Sequence, residues 1–158
     1  MTREPQQSTG RGGKYLSFRL GKEEYGVEIL RVREIIGLLE ITELPRTPEH
    51  VKGVVNLRGR IIPVIDLRSL FGMPHQDYTA VTCIVFIEVA GQGEGERFQI
   101  GTIVDSVSEV ITIASEQIGA VPHFGCDVDT QFMLGVARVK DKVCVLLNID
   151  TMLNTKDL

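Results

Sequence analysis

Apolar and polar positions alternate along this chain in short runs, and glycines, prolines and charged residues separate the runs. The stretch Tyr15-Leu16-Ser17-Phe18-Arg19-Leu20 alternates and predicts a strand. Residues 21–24 predict a hairpin turn and 25–29 its partner strand. Ile29, Val32, Ile35 and Ile36 fit a helical stripe, but their β-branched character favours a strand from about Val32, after a helical turn. Residues 41–44 read as a further extended piece. Pro45 and Pro48 bracket a turn, and 48–52 reads as one helical turn ended by Gly53.

The most informative run is 53–71. Val54 and Val55 open a strand, the polar residues 56–60 allow a reversal, and 61–65 return as a second strand. Asp66 is a good N-cap, Leu67, Leu70 and Phe71 follow at helical spacing, and Gly72 stops the helix. Pro63 lacks an N–H, so its strand is expected at an edge or paired on one side there. Beyond a connector at 74–77, residues 81–89 form a strongly apolar strand, 91–96 a glycine-rich tip, and 97–104 the return strand. Residues 109–113 are extended, Ser115 caps a helical turn over 115–118, and 127–132 form another short turn.

Residues 135–153 then repeat 53–71 without a gap. Gly53 falls on Gly135, Val54 on Val136, Arg58 and Arg60 on Lys140 and Lys142, Ile61 on Val143, and Asp66 on Asn148. A second echo relates Val32-Arg33-Glu34-Ile35-Ile36 to Val107-Ser108-Glu109-Val110-Ile111. Two echoes in the same order predict a duplicated unit. Short, regularly spaced strands with brief helical caps predict an all-β protein of two similar small barrels. Halves of roughly 70 residues are near the lower limit for independent folding, so they are expected to share buried surface. Barrel one is placed at about 15–75 and barrel two at about 80–154, with exchange of strands between them allowed. Residues 1–14 are polar and read as a disordered tail.

Composition removes several function classes. The 158 residues carry a net charge of −4, which argues against general nucleic-acid binding. There is no tryptophan and aromatic content is 6%, so a stacking platform is not expected. Cys83, Cys126 and Cys144 are odd in number and scattered, which implies no disulfide framework and fits a reducing cytoplasm. No apolar run approaches the roughly 20 residues needed to span a bilayer.

Candidate chemistry is sparse. His50, His75 and His123 lie in three connectors with no obvious acidic partner nearby, which favours solvated or structural roles. His123 and Cys126 are half a metal site that no second pair completes. The 91–95 glycines lack the Lys-Ser/Thr of a phosphate loop. No nucleophile elbow is present. A binding protein remains, with surface candidates in the 56–60 turn and the 31–34 strand. Arg58 offers a planar fork of donors for carboxylates or carbonyls.

Several motifs carry a resemblance. They are Glu24-Tyr25-Gly26-Val27-Glu28-Ile29, Val32-Arg33-Glu34-Ile35, Pro45 with Thr47-Pro48, and Lys52-Gly53-Val54-Val55-Asn56-Leu57-Arg58-Gly59. Pro63-Val64-Ile65-Asp66-Leu67-Arg68, Val104-Asp105-Ser106-Val107-Ser108-Glu109-Val110 and Ala114-Ser115-Glu116-Gln117-Ile118 continue it. Together they resemble the CheW family of chemotaxis adaptors from Tyr15 to Asn154. The resemblance implies two five-stranded SH3-like barrels packed around a shared apolar core, with no enzyme activity, cofactor or metal. It implies a cytoplasmic scaffold, recruited to membrane-associated arrays, that couples the tips of methyl-accepting chemoreceptors to the regulatory domain of the histidine kinase CheA. Use of the same fold in another pathway, such as surface motility, is the alternative. The positions that match the receptor face are Val32, Glu34, Gly53, Arg58 and Ile84. Val32 and Ile84 would be apolar wall, Glu34 and Arg58 polar fixing points, and Gly53 a site of close helix approach. Ile41, Leu44 and Phe124 match the kinase contacts.

Overall fold

The computed structural model describes residues 12–91, 93–120 and 132–153. Strands β1 (Gly13–Leu20) and β2 (Glu23–Glu28) form a hairpin, and a 3-10 turn at Ile29–Arg31 leads into β3 (Val32–Gly37). A strap, 38–50, runs to β4 (Val51–Leu57), which turns into β5 (Arg60–Asp66) and the single-turn helix α1 (Leu67–Leu70). The pattern then recurs: β6 (Cys83–Ala90), β7 (Arg97–Val104), β8 (Ser106–Ile113), a 3-10 turn (Ser115–Gln117), β9 (Ile118–Gly119), β10 (Met133–Val139), β11 (Lys142–Leu147) and α2 (Ile149–Met152). No helix of the described residues is long and apolar enough to cross a membrane.

The protein is all-β, two SH3-like barrels with short helices. One sheet has the order β3-β6-β7-β5-β4, and the other β9-β10-β11-β2-β1-β8. These orders do not follow the halves of the chain. Hairpin β1–β2 joins strands from 106–147, and hairpin β6–β7 joins strands from 32–66. The two sheets are built alike. In each, the second strand of the visiting hairpin lies parallel to the last strand of the host: Val64 beside Gly101, and Leu146 beside Gly26.

Three cores follow from this exchange. Val55, Leu57, Ile62, Val64, Ile84, Phe86 and Ile103 fill the five-stranded barrel. Tyr15, Ile113, Ile118, Ala137, Cys144 and Leu146 fill the other. The largest cluster lies between them, with Phe18, Leu20, Tyr25 and Leu147 from one sheet and Ile65, Val85, Ile87 and Val104 from the other. β6 therefore buries both faces, which explains its unbroken apolar sequence. Each barrel alone would expose its face of the shared core.

The duplicated hairpins keep the same local devices. Both have a two-residue turn with positive φ, at Arg58 (51°) and Gly59 (87°), and at Lys140 (49°) and Asp141 (67°). This is the left-handed pair that suits a tight hairpin. Both have a register shift near the start, at Val51/Gly53 and Met133/Gly135. Asp66 caps α1 by accepting the Arg68 N–H at 3.0 Å, and Asn148 caps α2 by accepting from Thr151 at 3.4 Å. Pro63 pairs with Val54 on one side, and the parallel neighbour joins only from Val64 onward.

Two local expectations are corrected. β4 begins at Val51 rather than Val54, and 48–52 holds a turn closed by the Val51 N–H to the Pro48 carbonyl at 3.0 Å, not a helical turn. Ser115 does not cap its 3-10 turn. The Gln117 side chain reaches back to accept the Ala114 N–H at 2.7 Å, so the cap comes from the far end.

Two ion pairs tie the barrels. Arg68 of α1 grips Asp105, the residue before β8, with Nε–Oδ1 2.8 Å and Nη2–Oδ2 2.6 Å. Arg31, the residue before β3, holds Asp150 of α2. The hydrogen bonds from Arg68 keep the Asp105 carboxyl below its ordinary range; partial burial opposes this, and the Gly21 N–H adds to it. A depressed carboxylate stabilises the fold above its unfolded value of about 3.9 and loses that contribution as pH falls through the folded value. Asp105→Asn is therefore expected to lower stability at pH 7 by about 1 kcal/mol. It should also flatten the acid loss below about pH 4. Urea unfolding followed by circular dichroism across a pH series would reveal both.

Candidate functional site

Strands β3 and β4 are the two edges of the five-stranded sheet. Curling the sheet brings them together, and the seam between them gathers most of the sequence-expected receptor positions. Glu34 sits on β3 and Arg58 at the tip of the β4–β5 hairpin. The Arg58 guanidinium straddles the Glu34 carboxylate: Nη1 donates to Oε2 at 3.0 Å and Nη2 to Oε1. The two polar fixing points are thus partners of each other. The hydrogen bond holds Glu34 below and Arg58 above their ordinary values, against a small opposing effect of burial.

The turn that presents Arg58 is rigid for local reasons. The Asn56 side-chain oxygen accepts the Gly59 N–H at 2.8 Å. With Arg58 and Gly59 both at positive φ, the guanidinium stands at the hairpin tip with 69% of its side chain exposed. Val32, two residues before Glu34, is half-buried and packs against the shared core.

Gly53 has a different role from the one its position suggests. Its φ is 149°, and a Cβ there would lie 2.0 Å from the Thr42 carbonyl oxygen and 3.0 Å from the Glu43 Cα. The strap crosses here. Thr42 pairs with Val54, N to O at 2.8 and 2.9 Å, adding a rung outside β4. The space that the missing side chain leaves is filled by the chain's own backbone, not open to an incoming helix.

Ile84 is also corrected. It is 0% exposed, on the inner face of β6 in the barrel core, and offers no wall to a partner. Ile84→Ala is expected to cost about 2–5 kcal/mol of folding stability. Any binding loss should scale with the unfolded fraction, as titration at two temperatures would reveal.

Ile41 packs against that same core from the strap, while Leu44 is 42% exposed. Phe124, the third kinase-side position, lies outside the described residues, as do His123 and Cys126. Ile35, Leu38 and Leu39 are also exposed aliphatics, on β3 and the start of the strap. The sequence reading passed over them as functional. Their signal was two adjacent leucines between a strand and a proline-bracketed turn, with no amphipathic period to bury them.

The arrangement has little to offer bond-making chemistry. Among the described residues no group of three His, Cys, Asp or Glu side chains is placed to hold a metal. Burial, with Glu24 adding, pushes the Cys144 thiol up to about 12, so it is no thiolate nucleophile. Two fused barrels with a polar seam and an aliphatic strap define a binding module of the adaptor class.

Comparison with known proteins gives the same class. Residues 14–157 match the CheW-like domain family. The chain is 35% identical over 147 residues to the chemotaxis protein CheW of Klebsiella aerogenes, covering 93% of this chain and 85% of that one. It is 28% identical over 144 residues to Protein FrzA of Myxococcus xanthus, covering 90% and 86%. The crystal structure of the scaffolding protein TtCheW from Thermoanaerobacter tengcongensis superposes with a TM-score of 0.81. Sequence identity to it is 36%, and 93% of this chain and 97% of that one are covered. The chain belongs to the CheW family of chemotaxis adaptors, a family of non-catalytic scaffolds.

Proposed function

We propose that this adaptor itself performs no catalysis and links the cytoplasmic tips of methyl-accepting chemoreceptors to the regulatory domain of CheA. The match over residues 14–157 carries this reading. The receptor tip, a helical hairpin, would meet the seam of the five-stranded barrel, with Arg58 and Glu34 fixing its polar groups and Val32 beside them. Exposed apolar and charged groups on one rigid face suit a helix-in-groove contact. Gly53 supports that face from beneath by seating the strap, and Ile84 supports it from the core. The strap, with Ile41 below and Leu44 outward, would meet the kinase, and Phe124 would serve a second kinase contact. Coupling follows from linkage: the adaptor shifts kinase output if its affinity differs between the on and off geometries. Individually modest contacts suffice because an array supplies many of them. The protein would work in the cytoplasm and join the membrane through receptors alone, with no nucleic-acid partner.

The FrzA match favours one second reading, the same adaptor work in a pathway other than chemotaxis. Autophosphorylation of the cognate CheA, measured with receptor tips in membrane and with and without this protein, tests the first reading. A rise in kinase activity that needs all three components is expected. Failure to bind either partner would sink it. Binding to the receptors and kinase of a separate operon instead would favour the second.

A further inference from the structure

The seam that gathers Glu34 and Arg58 occurs twice in the molecule. Repeat one comprises β1–β5 and repeat two β6–β11, and strand registers fix their correspondence. Val64 pairs with Gly53 and Leu146 with Gly135, so the two hold the same place in their hairpins. They lie beside Gly101 and Gly26. Those glycines pair with Phe86 and Ser17, which pair in turn with Glu34 and Glu109. Each acid follows a one-residue bulge, at Arg33 and at Ser108, a device that re-aims a side chain. Glu109 on β8 is therefore the counterpart of Glu34 on β3.

The opposite side of the seam repeats as well. Arg58 and Lys140 each open a two-residue turn at positive φ. Lys140 Nζ lies 4.0 Å from Glu109 Oε2, across the gap that Arg58 spans to Glu34. Gly119 pairs with Val136 just as Thr42 of the strap pairs with Val54. Exposed aliphatics recur at matching places. Ile35 follows Glu34 and Val110 follows Glu109, while Ile61 and Val143 lie three residues past Arg58 and Lys140, and all four are exposed. Two replacements loosen the second seam. Lysine is a point charge where arginine is a planar fork, so the second pair is one long contact whose side chains stay 78% and 57% exposed. Ser17 also stands where the first barrel has Phe86, and a cavity of about 120 Å³ opens behind Glu109 and Lys140.

We propose that the second seam is a further docking site for a receptor tip, so that one adaptor holds two tips, one on each barrel. The inference rests on the reading of the first seam as the receptor face. Charge complementarity names the occupant. In both seams the acid sits on the third strand of the repeat, the cation at the hairpin tip, and an aliphatic near each. A helical hairpin whose charges suit the first seam therefore meets the second in the same order. The exposed, loosely paired lysine and carboxylate can turn to a partner at little cost. The point charge and the unfilled cavity make this the weaker contact, by about tenfold. An adaptor that holds two tips links receptors to each other before any kinase is present, and each link raises the effective concentration for the next.

The test titrates the full chain with a soluble receptor-tip helical hairpin, without kinase, by isothermal calorimetry, and checks the stoichiometry by size-exclusion light scattering. Wild type is expected to bind two tips with affinities about tenfold apart. Arg58→Glu should keep one, the weaker. Lys140→Glu and Glu109→Lys should each keep one, the tighter, with unfolding midpoints unchanged because both side chains are exposed. R58E/K140E should bind none. If K140E does not fold, Glu109→Lys decides. One tip on wild type overturns the proposal, and if R58E alone abolishes that site the receptor reading still stands. No tip on wild type, or two tips on every variant, overturns the receptor reading and this inference with it. A dimer of the adaptor alone that K140E dissolves, with tip binding unchanged, would assign the second seam to another copy of the chain and equally overturn the proposal. So would loss of the kinase regulatory domain in K140E with tip binding unchanged.

Discussion

Gly53→Ala is expected to destabilise the fold by about 2–5 kcal/mol, combining a strained left-hand φ with an overpacked contact. The added methyl would sit 2.0 Å from a backbone oxygen, which cannot rotate away as a side-chain tip could. Either β4 bends or the strap lifts, and both break the Thr42–Val54 rung. The strap carries Ile41 and Leu44, so kinase binding should fall together with stability. Urea unfolding by circular dichroism gives the first quantity, and a pull-down on the kinase regulatory domain the second. A variant with an unchanged midpoint and full kinase binding, but no receptor binding, would return Gly53 to the role of direct contact.

The second large effect is functional with little change in stability. Arg58→Glu sets two carboxylates at the seam in place of a bidentate pair. Arg58 stands at an exposed hairpin tip, so the unfolding midpoint should hardly move. Receptor-tip binding is expected to weaken by about tenfold or more, because a fixed charge on the contact face changes sign. Kinase binding should persist. The exchange variant, Glu34→Arg with Arg58→Glu, separates two explanations. It re-forms the pair, so seam closure returns. If the receptor reads each charge in place, coupling in the autophosphorylation assay stays low. Full recovery would mean that the pair serves the barrel and the partner reads something else.

Much of this architecture is written locally. The Asn56–Arg60 turn, the Asp66 cap and the echo of 53–71 in 135–153 each depend on neighbours within a few residues, and sequence reports neighbours well. The unpaired side of Pro63 was legible for the same reason: one missing N–H has one consequence. What was hidden is partnership at a distance. Alternation in 15–20 says that one face is buried, but not that β8 lies on one side and β2 on the other. Gly53 was read as space for a partner, because sequence does not show that residues 42 and 43 already fill it. Ile84 lies in a strand buried on both faces, where periodicity gives no inside or outside. The ties Arg68–Asp105 and Arg31–Asp150 link residues 37 and 119 positions apart, beyond any local signal.

The exchanged hairpins also set a timetable for synthesis. Hairpin β1–β2 is made before the other described strands, yet its neighbours in the sheet are β8 and β11, made well after it. At roughly 5–20 residues per second, the opening hairpin waits several seconds for a partner edge. Its apolar side chains, Leu16, Phe18 and Leu20, belong to the shared core and have nothing to cover them meanwhile. The first barrel waits as well, since β6 and β7 must emerge before β3 and β5 can pair with them. A nascent chain of this adaptor is therefore sticky until β11 is out, and a pause near residue 140 would leave the β1–β2 hairpin without its parallel neighbour.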